Sequence, residues 1–308
     1  MNLKHVADPS APLGSSDRII PSQVFAWANE FLKDICARQA KSDINEWRKF
    51  CADRLPRLPV FQLLHGGPIA RRCQNGFSRH VADPETLDLI YGKGCAGEDI
   101  TGVEAAIYNW ESNLSFCESL RARRNLLASE LDELCSSNPR ARILALGSGH
   151  MREAECVLGA RHHQSIEFFA YDEDPASLEF LKVRYGQSAV QRVQGSFRNL
   201  GDVVRDLGTF DFIYSLNWFD ALCTPDAREM ATLLASKLNR GGRLLIANFA
   251  PDMPEAAYIQ SCLNWWPFYR TETEMAELTH GIPDRKISGR AVFRDDSQST
   301  VFLDMQVC

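Results

Sequence analysis

From Arg140 to the C-terminus the chain alternates short apolar runs with helical stretches, and that rhythm limits the fold more than any other feature. ARILALG is a buried-strand run, followed by a helix from about Met151. IEFFAYDED is a second strand with the helix PASLEFLKVRYG after it, and AVQRVQGS is a third, followed by FRNLGDVVRDLG. FDFIYSLNW is a fourth, then comes PDAREMATLLASKLNRGG, and RLLIANFAP is a fifth. Strands separated by helices of ~10–15 residues pair in parallel, because a parallel return needs a crossover. The predicted fold is therefore an α/β, doubly wound sheet. AAYIQSCLNWW and TETEMAEL add helices, and KISGRAVFRDD with TVFLDMQV reads as a terminal antiparallel hairpin.

Residues 20–137 follow a different period. SQVFAWANEFLKDICARQ places Val24, Phe25, Trp27, Phe31, Leu32 and Ile35 at helical spacing, and INEWRKFCADRL repeats the pattern. DPETLDLIYG opens with the cap residue Asp83, carries Pro84 at the first helical position and closes at Gly92. TGVEAAIYNWESNLSFCESLRARRNLLASELDELC is one long helix or two joined ones, ending at Ser-Ser-Asn-Pro over 136–139. The expected organisation is a flexible tail over 1–18, a helical lid and substrate domain over 19–137, and a ligand-binding α/β domain over 138–308.

A chain of 308 residues suits one large α/β domain with a helical appendage. Its formal net charge of −6 argues against nucleic acid as a partner. Ten cysteines without a Cys-x-x-Cys pair read as reduced thiols, hence a cytoplasmic protein with no metal site. No apolar run approaches ~20 residues, so no membrane span is expected. MNLKHVADPSAPLGSSD lacks the apolar stretch of a signal peptide. The expected partner is a small-molecule substrate, and the expected state a monomer or homodimer.

The stretch RILALGSGHMREAE sets a strand, a glycine turn and a helix start in that order. Such a turn brings backbone N–H groups against a ligand's polar atoms, a role that Gly147 and Gly149 fit. Asp172 ends the next strand, where a carboxylate can accept from both hydroxyls of a ribose; the alternative is a solvated helix cap. A dinucleotide site usually has a third glycine to seat a pyrophosphate, and Met151 stands there, after His150. The ligand is therefore expected to lack a pyrophosphate.

Together with the terminal hairpin, these features resemble class I S-adenosylmethionine-dependent methyltransferases. The resemblance implies a Rossmann-like seven-stranded methyltransferase sheet and S-adenosylmethionine as cofactor. It implies that Gly147, Ser148 and Gly149 face the cofactor's amino-acid part, that Asp172 holds the ribose, and that Gly195, Ser196 and Phe197 cover the adenine. Ala145 and Ser196 stand where that family often has acidic residues. GSGHMRE looks like the G-x-G-x-x-R-E loop of a bacterial subgroup that includes proteins for 3-hydroxy fatty acid methyl ester signals. SRHVADPETLDLIYG, and ANFAPDMPEAAYIQSCLNWWPFYRTETEMAEL, are similar to further segments of it. The cofactor-binding candidates are completed by His150, Arg152, Tyr171, Glu173, Asn217 and Trp218.

Displacement at a sulfonium releases a neutral leaving group, so alignment and desolvation carry the reaction and aromatic faces hold the cation. Trp218 is the best-placed face, since NWF follows the fourth strand. Arg79, His80, Asp83 and Tyr91 form a candidate substrate patch, with His80 as a candidate general base. The run Arg121 to Arg124 reads as a solvated helix face, with carboxylate binding as the alternative. The expected activity is methyl transfer to a small molecule of secondary or signalling metabolism, a carboxylate or another oxygen or nitrogen nucleophile. A second reading has Ser215 and Asn217 orient the cofactor's amine toward its own γ-carbon, closing azetidine-2-carboxylate and releasing methylthioadenosine. A third is a non-catalytic cofactor-binding protein.

Overall fold

A computed structural model of the protein describes residues 21–74, 83–93, 100–159, 165–186 and 188–308. The first half is helical: α1 (Pro21–Gln39), α2 (Ile44–Asp53), α3 (Pro59–Leu64), α4 (Pro68–Gln74), α5 (Pro84–Ile90), α6 (Gly102–Ser112) and α7 (Ser115–Ser137). Next come β1 (Arg142–Leu146), α8 (Glu155–Gly159), β2 (Glu167–Asp172), α9 (Pro175–Tyr185), β3 (Val190–Gln194) and α10 (Leu200–Val203). The chain continues through β4 (Phe210–Ser215), α11 (Thr224–Ala235), β5 (Leu238–Phe249), α12 (Ala256–Ser261), α13 (Glu272–Glu277), β6 (Ile287–Arg294) and β7 (Thr300–Val307).

The chain forms two compact units: one from residues up to Glu118 together with Asp252–Trp266, the other from Ser119–Pro251 and Pro267–Cys308. The second holds a seven-stranded sheet of order β3-β2-β1-β4-β5-β7-β6. β1 to β5 pair in parallel, and β7 lies antiparallel between β5 and β6. Alternate residues of one strand enter opposite cores: Leu144, Phe169 and Ile213 one, Ile143, Phe168 and Phe212 the other. A sheet covered on both faces needs apolar side chains at every position, which is why these strands read as unbroken apolar runs. Leu127, Leu131 and Cys135 of α7 are buried in the second of these cores. The units therefore divide at Glu118/Ser119, inside α7, and not at the predicted 137/138, because the apolar stripe of that helix is satisfied by the sheet from Ser119 on.

In the helical unit α1 buries Val24, Ala28, Phe31 and Ile35, one stripe at helical spacing. Asp43 and Glu46 form a reciprocal capping box at α2. Segment 252–266 completes this unit: the Tyr258 hydroxyl donates to Glu111 Oε1 at 2.6 Å, Trp47 Nε1 to Gln260 Oε1 at 2.8 Å, and the Ser115 N–H to Glu255 Oε1 at 3.1 Å. No helix among the described residues is long and apolar enough to cross a membrane.

Three local expectations are corrected. Met151 does not start a helix: it is left-handed, with φ 47°, and a 3-10 turn over Arg152–Ala154 precedes α8. The FRNLGDVVRDLG stretch forms only the four-residue α10, after which turns lead to Gly208 at φ 81°. The Leu-Asn-Arg-Gly-Gly segment belongs to β5, not to the preceding helix, and Gly241, at φ 78°, accommodates its register shift against β4.

Candidate functional site

The register places the C-terminal ends of β1, β2 and β4 side by side, with Leu146 opposite Tyr171 and Ala145 opposite Tyr214. The segments that leave these strands therefore share one edge of the sheet, where open α/β sheets bind ligands. Gly147, Gly149 and Met151 all have positive φ, at 61°, 50° and 47°, so the loop alternates left-handed positions with ordinary ones. Glycine adopts that conformation without strain; Met151 does so with its side chain locked into the core at 1% exposure.

The N–H groups of this loop point inward. Gly147 and Ser148 both donate to the Tyr171 carbonyl, at 2.9 and 3.2 Å, and Gly149 donates to Asp172 Oδ2 at 2.8 Å. The expectation that these N–H groups face a ligand is thus corrected: they clasp the loop onto the end of β2. What the loop presents is missing side-chain bulk and the Ser148 Oγ, which is buried without a hydrogen-bond partner. At Gly147 a Cβ would stand 2.7 Å from Trp218 Nε1, so this glycine is required by the indole lying on it. Trp218 meets Tyr171 edge-on, with ring centroids 5.6 Å apart.

Asp172 is buried, and its Oδ1 accepts from the Asp174 N–H at 3.0 Å. Burial raises its carboxyl, and the N–H groups of Asp174 and Gly149 pull against that rise. The predicted alternative of a helix cap falls to Asp174, whose carboxylate accepts from Ala176 and Ser177 at the start of α9. Beside Asp172 lies an open cleft of about 340 Å³ lined by Glu173, Gln194, Gly195, Ser196 and Asn199. Asn199 was not anticipated from the sequence. Its Oδ1 accepts from the Ser196 N–H at 2.8 Å and the Tyr171 hydroxyl at 3.1 Å, which orients its Nδ2 as a donor at the cleft. Gly195 carries the cleft floor past Tyr171, whose Cζ a Cβ would approach to 2.5 Å. Phe197 is 40% exposed.

The remaining candidates are placed as follows. His150 is buried and stacked on Phe180, with ring centroids 3.7 Å apart, and Arg152 pairs with Glu155 at 2.6 Å. Ser215 is fully buried and donates to the Leu146 carbonyl at 3.2 Å, while Asn217 Oδ1 lies 3.4 Å from Arg123 Nη1. Tyr91 and Asp83 sit in the helical unit; Asp83 caps α5 and pairs with Arg72 at 3.0 Å. Arg79 and His80 lie outside the described residues. Arg123 is no solvated residue: it has 0% exposure and pairs with Asp220 at 2.8 Å. Beneath the loop, Glu153 accepts from the Tyr214 hydroxyl at 2.8 Å, and burial pushes its carboxyl up to about 7. Among the described residues no group of His, Cys, Asp or Glu side chains is placed to hold a metal ion.

No protein-family model matches the sequence, and no curated protein matches it. Solved structures do match in fold. One from Bordetella parapertussis, named a possible exported protein, aligns over 96% of this chain and 99% of its own at 13% identity, with a TM-score of 0.61. One from Thermobifida fusca that carries a provisional methyltransferase name aligns over 74% of this chain and 95% of its own at 14% identity, with a TM-score of 0.54. The magnesium protoporphyrin IX methyltransferase of Synechocystis, with S-adenosylmethionine bound, is a weaker likeness: 14% identity, 74% and 99% coverage, TM-score 0.45. The sheet order and the first two likenesses establish the Rossmann-like, seven-stranded methyltransferase fold.

Proposed function

We propose that the protein is an S-adenosylmethionine-dependent methyltransferase acting on a small molecule with a carboxylate or another oxygen or nitrogen nucleophile. The observation that carries the reading is the Gly147–Met151 loop clasped to Asp172, with the polar cleft beside it. Ser148 Oγ, buried and unpartnered, is a donor suited to a cofactor's polar end. Asp172 keeps acceptor capacity on both oxygens, enough for two ribose hydroxyls. Glu173, Ser196 and the oriented Asn199 amide supply polar groups for a heterocycle. A loop whose N–H groups are already committed suits a ligand without a pyrophosphate.

When bound, S-adenosylmethionine supplies an activated methyl group and leaves as a neutral thioether. The residues of this chain bind and align it: Trp218, which is only partly buried, offers an aromatic face to the sulfonium charge, and the buried Tyr171 supports that indole edge-on. Ser215, bonded to the end of β1, fits the role of fixing β4 against the loop, which favours methyl transfer over intramolecular closure at the γ-carbon.

Titration calorimetry tests the reading. The expected result is one S-adenosylmethionine bound per chain, with Asp172→Ala weakening it by about 1.5–3 kcal/mol, the worth of hydrogen bonds to a charged group. Unchanged affinity in the variant would remove Asp172 from the ribose role. Incubation with cofactor and candidate acceptors should release S-adenosylhomocysteine; methylthioadenosine from cofactor alone would establish γ-carbon chemistry instead.

A further inference from the structure

We infer that Arg123 binds a ligand carboxylate at the mouth of the sheet, an inference that rests on the cofactor reading above. Arg123 and Arg270 are both buried, at 0% and 1% exposure, and Asp220, at 1%, interacts electrostatically with each. Arg123 pairs with Asp220 directly, whereas Arg270 donates to the carbonyls of Phe219 and Leu222 and to Asn248 Oδ1. Glu274, the other carboxylate that acts on Arg270, is exposed and accepts from the N–H and hydroxyl of Thr271. Two guanidinium groups against one buried carboxylate leave an excess positive charge in the interior, which is costly without an anion.

One nitrogen is also uncommitted. Arg123 Nε donates to Thr300 Oγ1 at 2.8 Å, and Nη1 donates to Asp220 Oδ2 at 2.8 Å and to the Leu216 carbonyl at 2.6 Å. Nη2 is buried and has no partner, and Arg270 Nε is in the same condition. Nη2 belongs to both edges of the planar guanidinium fork, so it is the atom through which this group can take a carboxylate oxygen. Position supports a ligand. Leu216 and Asn217, which Arg123 touches, directly precede Trp218, whose indole lies on Gly147. Ser148 Oγ, a second unpartnered donor, sits in that same loop. A monoanion matches the single excess charge, while a phosphate dianion would be repelled by Asp220. The cofactor's α-carboxylate and an acceptor's carboxylate share this chemistry.

The test is calorimetric binding to the full chain, unmutated and with Arg123→Lys, which keeps a positive charge beside Asp220 but removes the fork. The probes are S-adenosylmethionine and decarboxylated S-adenosylmethionine. The unmutated protein is expected to favour the first by at least about tenfold, and Arg123→Lys to reduce the gap to within about threefold, the scale of a charge-assisted hydrogen bond. That result assigns the cofactor's carboxylate. Where the two probes bind equally, octanoate is titrated into protein saturated with S-adenosylhomocysteine; binding that Arg123→Lys abolishes assigns the acceptor's carboxylate. Equal probes with no octanoate binding overturn the inference and leave the cofactor reading standing. So does discrimination that survives in the variant. Failure of every adenosyl probe to bind overturns the cofactor reading instead, and octanoate binding to the free protein then decides the inference alone. Arg123→Gln replaces the lysine variant if that one loses its native circular dichroism.

Discussion

At Glu153 a buried carboxyl meets the Tyr214 hydroxyl under the glycine loop, and its ionisation sets a pH dependence. Its pKa is raised from 4.5 to about 7, mainly by desolvation. Below pH 4.5 both folded and unfolded states hold the proton, and the full stabilisation is present. As pH rises toward 7 the unfolded chain releases the proton first, so stability falls, by about 3 kcal/mol in total. Glu153→Gln keeps the shape without the ionisation. Its Tm should match the parent near pH 5 and exceed it at pH 8, and a parallel pH dependence of the two proteins would exclude Glu153 as the source. At Gly147, alanine would have to adopt φ near 61° and push the Trp218 indole away. Gly147→Ala should cost about 1–3 kcal/mol of stability and weaken cofactor binding as well. Thermal unfolding and calorimetry on the same sample separate the two effects.

Among the elements, those with a strong period were legible and those set by tertiary contacts were not. Val24, Ala28, Phe31 and Ile35 announce α1 because one helical face is buried and the other solvated. The central strands β1 and β2 announce themselves through apolar runs, because both faces of the sheet are covered there. The cap at Asp83 with Pro84 was legible because its chemistry is local. Asp83→Ala should remove the bond to the Thr86 N–H and one of the partners of Arg72, costing about 1–2 kcal/mol in chemical denaturation. The burial of Arg123 was not legible. Its partners Asp220, Leu216 and Thr300 lie 93 or more residues away, and an Arg-Ala-Arg-Arg run has the pattern of a solvated helix face. At the candidate site the glycine turn and Asp172 were readable from a strand–turn–helix pattern. Asn199 was not, because its role comes from contacts with Tyr171 and Ser196 that only the fold creates.

For the whole molecule the decisive feature is that segment 252–266 leaves the sheet unit and returns to it. The Arg270 N–H bonds to the Phe249 carbonyl at 3.0 Å, so the two ends of the excursion are held together. Ala257, Tyr258 and Ile259 on α12 are fully buried. A fragment spanning 119–308 would expose that apolar face and should aggregate, whereas the same fragment with 252–266 replaced by a short Gly-Ser linker should stay monodisperse in light scattering. Aggregation of both would mean that the sheet unit depends on the helical one for more than this face. On the ribosome the excursion also sets a timetable. Residues 21–118 emerge first, yet the partners of Trp47, Glu111 and the Ser115 N–H are Gln260, Tyr258 and Glu255, translated more than 130 residues later. The N-terminal unit therefore cannot be completed before residue 266 is made, and the sheet unit in turn waits for residues 267–308, which carry β6 and β7. The first-made unit thus stays unfinished until five strands of the sheet have been translated, so the two units are completed close together at the end of synthesis and not one after the other.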